Sequence, residues 1–168
     1  MRVRPAKKSD LGDIMRCVGR LKEEYFEAKQ IPQWLGDYPS KEIFENDIEA
    51  SRLFVMYMGE CLVGFASIGI GDDPCYAEIE GEGWKGEGRY AVVHRFGINP
   101  DWHRRGMGTA LLGVADKLCE ANGVQVIRAD THELNDGMLG LLKKNGFEVR
   151  GIIHLENGDP RVALEKLL

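Results

Sequence analysis

Leu11, Ile14, Met15, Val18, Leu21 and Tyr25 recur at helical spacing and draw one apolar stripe. The stripe predicts a helix from Asp10 to about Ala28, with Ser9 as its N-cap. Pro32 and Pro39 make Gln30 to Ser40 a loop, and Ser40 opens a second helix over Lys41 to Ala50 with Ile43, Phe44 and Ile48 inward. Two β-rich runs follow, Leu53 to Met58 and Cys61 to Ile70, joined by Gly59-Glu60 as a hairpin. Cys75 to Arg89 is rich in Gly and Glu; a partial strand is expected around Tyr76 to Ile79 and a loop beyond it. Tyr90 to Ile98 is mostly apolar and reads as a central strand.

The second half alternates more regularly. After a glycine-containing turn, a helix buries Met107, Leu111, Val114, Ala115 and Leu118 and stops at Asn122-Gly123. Val124 to Asp130 is a strand. Asn135 caps a short helix through Leu142, which ends in Lys143, Lys144 and Gly146. Phe147 to Leu155 and Val162 to Leu168 are strands around the turn Glu-Asn-Gly-Asp-Pro. A short edge strand at Met1 to Arg4 completes the order β-α-α-β-β-β-α-β-α-β-β, an α/β (α+β) arrangement in which a mixed sheet carries helices on both faces.

The 168 residues fit one domain. A net charge of −5 disfavours nucleic acid, whose binding needs clustered basic residues. No apolar run is long enough to span a membrane, and the N-terminus lacks the apolar core of a signal peptide. Cys17, Cys61, Cys75 and Cys119 show no metal-ligand spacing, so no metal site is expected; free thiols suit a reducing cytoplasm.

The chemistry concentrates where the central strand meets the next helix. Strand, turn and helix N-terminus make an anion site, because first-turn amides lack intrahelical partners and glycine lets a phosphate approach the backbone. His103, Arg104 and Arg105 add donors and charge ahead of Gly106 and Gly108. A Walker loop is absent, and Leu111 stands where a dinucleotide fingerprint needs its last glycine.

What remains is a Gln/Arg-x-x-Gly-x-Gly/Ala cradle, His103-Arg104-Arg105-Gly106-Met107-Gly108, with a later Asn135…Lys144-Asn145-Gly146-Phe147 segment. With the element order, these resemble the GNAT superfamily of N-acetyltransferases over most of the chain. The resemblance implies a mostly antiparallel sheet of about seven strands with about four helices, splayed between its fourth and fifth strands. Acetyl-CoA is the implied co-substrate. Its pantetheine arm would bond to strand backbone at Phe96, Gly97 and Ile98, its pyrophosphate would sit on Arg104 through Thr109 (Met107 and Gly108 included), and Asn135 and Lys144 would complete the site. His103 stands where Gln or Arg is usual, and Leu142 where the family often places a Tyr as general acid; Tyr90 and His132 are the other groups that could donate that proton.

Acetyl transfer to an amine also needs a base. Residues two apart share a strand face, which groups Val92, His94, Phe96 and Ile98. His94 is then a candidate base, against a core histidine bonded to a neighbour. Glu78 and Glu80 would face one side of any strand there and offer a second route through water, against a solvated acidic loop. Trp34 and Tyr38 either wall the acceptor site or seal the core, and Cys75 as acyl nucleophile has no base patterned beside it. The expected activity is acetyl transfer to a primary amine on a small molecule or peptide, with a homodimer through the terminal strands possible; the rival is a non-catalytic acyl-CoA binder.

Overall fold

A computed structural model describes all residues, Met1–Leu168. The chain divides into two compact units, one of Met1–Ile68 with Arg95–Leu111 and one of Gly69–His94 with Leu112–Leu168.

In the first unit, β1 (Arg2–Pro5) pairs antiparallel with β2 (Leu53–Met58), which pairs with β3 (Cys61–Ile70). The long helix expected over Asp10 to Ala28 is three pieces: a 3-10 turn at Lys8–Asp10, α1 (Leu11–Leu21), and a π-helical segment at Lys22–Glu27. Ser9 does not cap it. Asp10 is recruited instead: its carboxylate accepts the Lys7 N–H and two Arg4 N–H groups, and the Tyr57 hydroxyl donates to it. Buried Asp10 thus ties α1 to β1 and β2. Helix α2 (Lys41–Glu49) is capped as expected, the Ser40 hydroxyl accepting from the Ile43 N–H. Phe44, Phe65, Phe26 and Trp34 stack into one aromatic core.

The end of β4 (Ala91–Ile98) and the start of α3 (Met107–Asn122) close this unit. Backbones come unusually close there: a Cβ on Gly97 would lie 2.5 Å from Phe65 and 2.8 Å from Leu21, and one on Gly64 2.9 Å from the Gly97 carbonyl.

The second unit holds the start of β4, β5 (Val126–Thr131), α4 (Asp136–Lys144), β6 (Glu148–His154) and β7 (Pro160–Leu167). The buried face of α3 is Leu112, Ala115 and Cys119 with Leu111, rotated from the expected stripe. Tyr76 to Ile79 is not a strand. Pro74–Tyr76 is a 3-10 turn, and a single bridge pairs Glu80 with Ile152. Glu165, buried on β7, accepts the N–H groups of Lys85 and Gly86 and the Arg128 Nε, while the Arg128 guanidinium lies against the Trp84 and Tyr90 rings. That network fastens the glycine-rich loop.

The strand order is β1-β2-β3-β4-β5-β7-β6, with β4 and β5 parallel and the other described pairs antiparallel. This is the mixed seven-stranded sheet with four α-helices that the sequence predicted. The β4–β5 register covers Ala91–Val93 against Ile127–Ala129 and ends there, although both strands continue. The C-terminal strand β7 is flanked by β5 and β6, so it offers no free edge for pairing across a dimer. No helix is long and apolar enough to cross a membrane.

Candidate active site

The parallel register stops two residues before a break in β4. Arg95 has φ +46, outside the extended region, and its guanidinium is clamped by buried Asp47 through Nε at 2.6 Å and Nη2 at 2.8 Å. Such a conformation is costly for a side-chain-bearing residue and persists only when its surroundings hold it, as Asp47 does here. The alternation expected along Val92, His94, Phe96 and Ile98 is therefore interrupted, and a common face cannot be read across Arg95.

Beyond Ile98 the chain turns. Asn99 accepts the Asp101 N–H and donates to the Leu62 carbonyl; Arg20 from α1 donates to Asn99 and to both Asp101 oxygens. The His103 ring lies 2.6 Å from the Ile98 carbonyl, where Nε2 donates, and packs edge-on against Tyr25. His103 thus faces back to the strand and closes the turn. Arg104 and Gly106 both have positive φ, at +60 and +77, and Arg105 between them does not. Alternating signs of φ turn successive N–H groups toward one point, the arrangement of an anion nest. Helix α3 follows at once, adding its first-turn amides and the positive end of its dipole. No atom lies within 4 Å of a Cβ built on Gly106, so the nest opens to space. Arg104 and Arg105 are exposed, with Arg105 over the Trp102 ring.

His94 lies in the second unit, in a cluster of hydrogen bonds. Its Nε2 is 2.6 Å from Asp73 Oδ2, and its Nδ1 is 3.9 Å from Asp130 Oδ2. The Tyr76 hydroxyl donates to that Asp130 oxygen at 2.7 Å, and the Tyr90 hydroxyl accepts the Asp73 N–H. Burial works to raise the Asp73 carboxyl, but the His94 hydrogen bond and the Cys75 N–H outweigh it, and the group sits below the ordinary carboxylate value. Burial first and then Asp130 push the Tyr76 phenol well up, which keeps it a donor. The imidazole retains about a third of its exposure, with side-chain exposure of 30%.

Other expected residues fall as follows. Glu78 and Glu80 are exposed in a loop and share no strand face; Glu80 uses its backbone to bridge Ile152. Trp34 is 6% exposed and sandwiched between Phe26 and Phe65, so of the two aromatics only Tyr38 shows a surface. Cys75 is raised by burial and by Asp73 and Asp130, which suits a thiol rather than a nucleophilic thiolate. The Asn135 side chain accepts the Met138 N–H, capping α4, and Lys144 is exposed. Leu142 is wholly buried in the core. His132 accepts the Leu134 N–H, and burial followed by Arg161 lowers its pKa. No group of His, Cys, Asp and Glu side chains is arranged to hold a metal ion.

The sequence family described as Acetyltransferase (GNAT) family matches residues 19–147, which span both the turn and His94. The chain belongs to that family. Among solved structures, a GNAT-family acetyltransferase from Streptococcus agalactiae is 26% identical, covers 99% of this chain and 95% of its own, and superposes with a TM-score of 0.88. A PaiA N-acetyltransferase from Thermoplasma acidophilum, in complex with coenzyme A, is 19% identical over 99% of this chain and 98% of its own, at a TM-score of 0.73. A ribosomal-protein-alanine N-acetyltransferase from Brucella melitensis is 18% identical over the whole of both chains, at 0.72. The last two share the fold. Comparison with curated proteins gives no match. His103, expected in the cradle, bonds through its ring to its own strand, and Leu142, where the resemblance leads one to look for a Tyr, lies in the core.

Proposed function

We propose that this GNAT protein is an acetyl-CoA-dependent N-acetyltransferase that moves the acetyl group directly to a primary amine. The observation that carries the reading is the turn from Asn99 to Gly106, where positive φ at Arg104 and Gly106 delivers backbone N–H groups to the head of α3. That arrangement suits a pyrophosphate. Arg104 and Arg105 add charge, Met107, Gly108 and Thr109 supply first-turn amides, and Phe96, Gly97 and Ile98 supply backbone for the pantetheine arm. Asn135 and Lys144 stay in the set of cofactor contacts carried by the family resemblance. The complex of the PaiA N-acetyltransferase with coenzyme A supports the same ligand.

The reaction needs a neutral amine, a polarised thioester and a path for protons. His94 is the base of choice, since it is accessible and hydrogen-bonded on one nitrogen. Glu78 and Glu80 remain the second route, through water, and Tyr38 the aromatic surface for the acceptor. With Leu142 in the core, the thiolate leaves without a phenol at that position; it takes the proton shed by the amine nitrogen once the C–N bond forms. The same leucine favours a second reading, a protein that binds acyl-CoA without turnover.

Thiol release from acetyl-CoA separates the two. Amine-dependent release across a panel of primary amines, with acetylated product identified by mass spectrometry, is the expected result. Tight acetyl-CoA binding by calorimetry with no release for any amine would favour the binder.

A further inference from the structure

Asp73 and Asp130 flank the His94 ring, and neither has a place in the reading above, on which this inference builds. Asp73 is fixed at three points. Its Oδ1 accepts the Cys75 N–H at 2.9 Å, its Oδ2 faces His94 Nε2 at 2.6 Å, and its own N–H is held by the Tyr90 hydroxyl at 3.0 Å. The ionised carboxyl has no proton to offer, so Nε2 must be the donor. In a neutral imidazole this leaves the lone pair on Nδ1.

Nδ1 looks toward Asp130, whose Oδ2 is 3.9 Å away and already accepts from Tyr76. Both facing atoms are acceptors, and that distance is too long for a hydrogen bond between them. Two N–H groups on one ammonium nitrogen would reach both at ordinary lengths of about 2.9 Å. The Asp130 side chain is 10% exposed and the His94 side chain 30%, so the approach runs from the imidazole side.

We infer that Asp73, His94 and Asp130 form a docking and deprotonation device for a primary alkylammonium. Asp130, oriented by Tyr76, binds the ammonium. His94 Nδ1 removes one proton and leaves the neutral amine. Asp73 is a positioning residue that locks the tautomer in which Nδ1 can do so. The amine nitrogen then attacks the thioester carbon, the C–S bond breaks, the second proton passes from nitrogen to the thiolate sulfur, and His94 returns its proton to water. A carboxylate beside the reacting nitrogen would face the two aspartates, so alkylamines are accepted in preference to α-amino acids.

The test reads the His94 ring by ¹⁵N NMR at a pH where titration followed by the same signals shows the ring neutral. The wild-type protein should show the proton on Nε2. Asp73→Asn should move it to Nδ1, because the amide oxygen keeps the Cys75 N–H and the NH₂ group turns to His94. Turnover in that variant should fall about 10²–10⁴-fold with acetyl-CoA affinity held within about 2-fold. Butylammonium should shift the Nδ1 resonance of the wild type, and Asp130→Asn should abolish that shift while leaving the Nε2–H tautomer in place. In turnover, butylamine should outpace glycine. A wild-type ring protonated on Nδ1, an unchanged tautomer in Asp73→Asn, or an ammonium response that survives Asp130→Asn would each overturn the inference. The tautomer and titration experiments need no turnover, so they stand or fall apart from the transferase reading.

Discussion

The turn from Asn99 to Gly106 and the cluster around His94 are built in opposite ways. In the turn the groups proposed to hold the cofactor are backbone amides, aimed by two positive φ values and the start of a helix. Side chains there act mainly as braces: Arg20 grips Asn99 and Asp101, and His103 grips the Ile98 carbonyl. In the cluster the groups proposed to handle the amine are side chains from three separate segments, each held by another side chain. A backbone site should tolerate exchange of its side chains, and the His103 ring, bonded to the Ile98 carbonyl, serves the turn as a brace. A side-chain site has no such tolerance, since each group sets the proton or orientation of the next.

That contrast predicts separable damage. The largest effect is expected from His94→Ala, which should lower turnover by about 10²–10⁴-fold, the range of general-base catalysis, and leave acetyl-CoA affinity nearly unchanged. Equal losses in both would show that the two regions are not separate.

Next comes the dependence of stability on pH. Asp73 is held below its ordinary value, so its folded carboxylate contributes stability above the unfolded carboxyl range, and that contribution is lost as pH falls through the folded value. In urea unfolding, Asp73→Asn keeps both hydrogen bonds but loses their charge, so it should cost about 1 kcal/mol at neutral pH, and the gap from wild type should narrow as pH falls below the ordinary carboxyl range. A pH-independent gap would mean that packing, not charge, sets the cost.

Gly106→Val addresses the turn. A β-branched residue at φ +77 distorts the nest, so acetyl-CoA affinity should weaken about 10-fold, with the His94 tautomer unmoved by NMR. The smallest effect belongs to Arg20→Ala. Its ion pairs are exposed, and loss of the brace should weaken acetyl-CoA about 2-fold by calorimetry, less in high salt. A large loss would mean that the turn depends on its side chains after all.

The same contrast decides what could be read from the sequence. The turn is contiguous, so its residue order carries its geometry, and Gly106 and the basic residues could be picked out directly. The element order was equally legible because helical and alternating patterns are local. Asp73 and Asp130 were not, because a loop after β3 and a residue of β5, far apart in the chain, meet only when the fold brings both to the His94 ring. His94 could be singled out only as a histidine on a strand. The kink at Arg95 was hidden for a similar reason: a left-handed arginine is stabilised by Asp47, on a helix distant in sequence. Helix α1 misled in its cap, since Asp10 answers to Arg4 and Tyr57 as much as to its own helix.

The bridge between Glu80 and Ile152 has a further consequence for how copies of this protein behave toward one another. Strand β6 is last in the sheet order, and an uncovered outer strand is a template on which another chain can grow. Here Glu80 exchanges both backbone hydrogen bonds with Ile152, and the Gly83 N–H donates to the Arg150 carbonyl, so the loop occupies much of that template. Gly151 makes the fit possible, because any Cβ there would run into the Glu80 carbonyl. By occupying that edge the loop leaves less of it for another chain to pair with, and a side chain at position 151 should be felt first as loss of solubility.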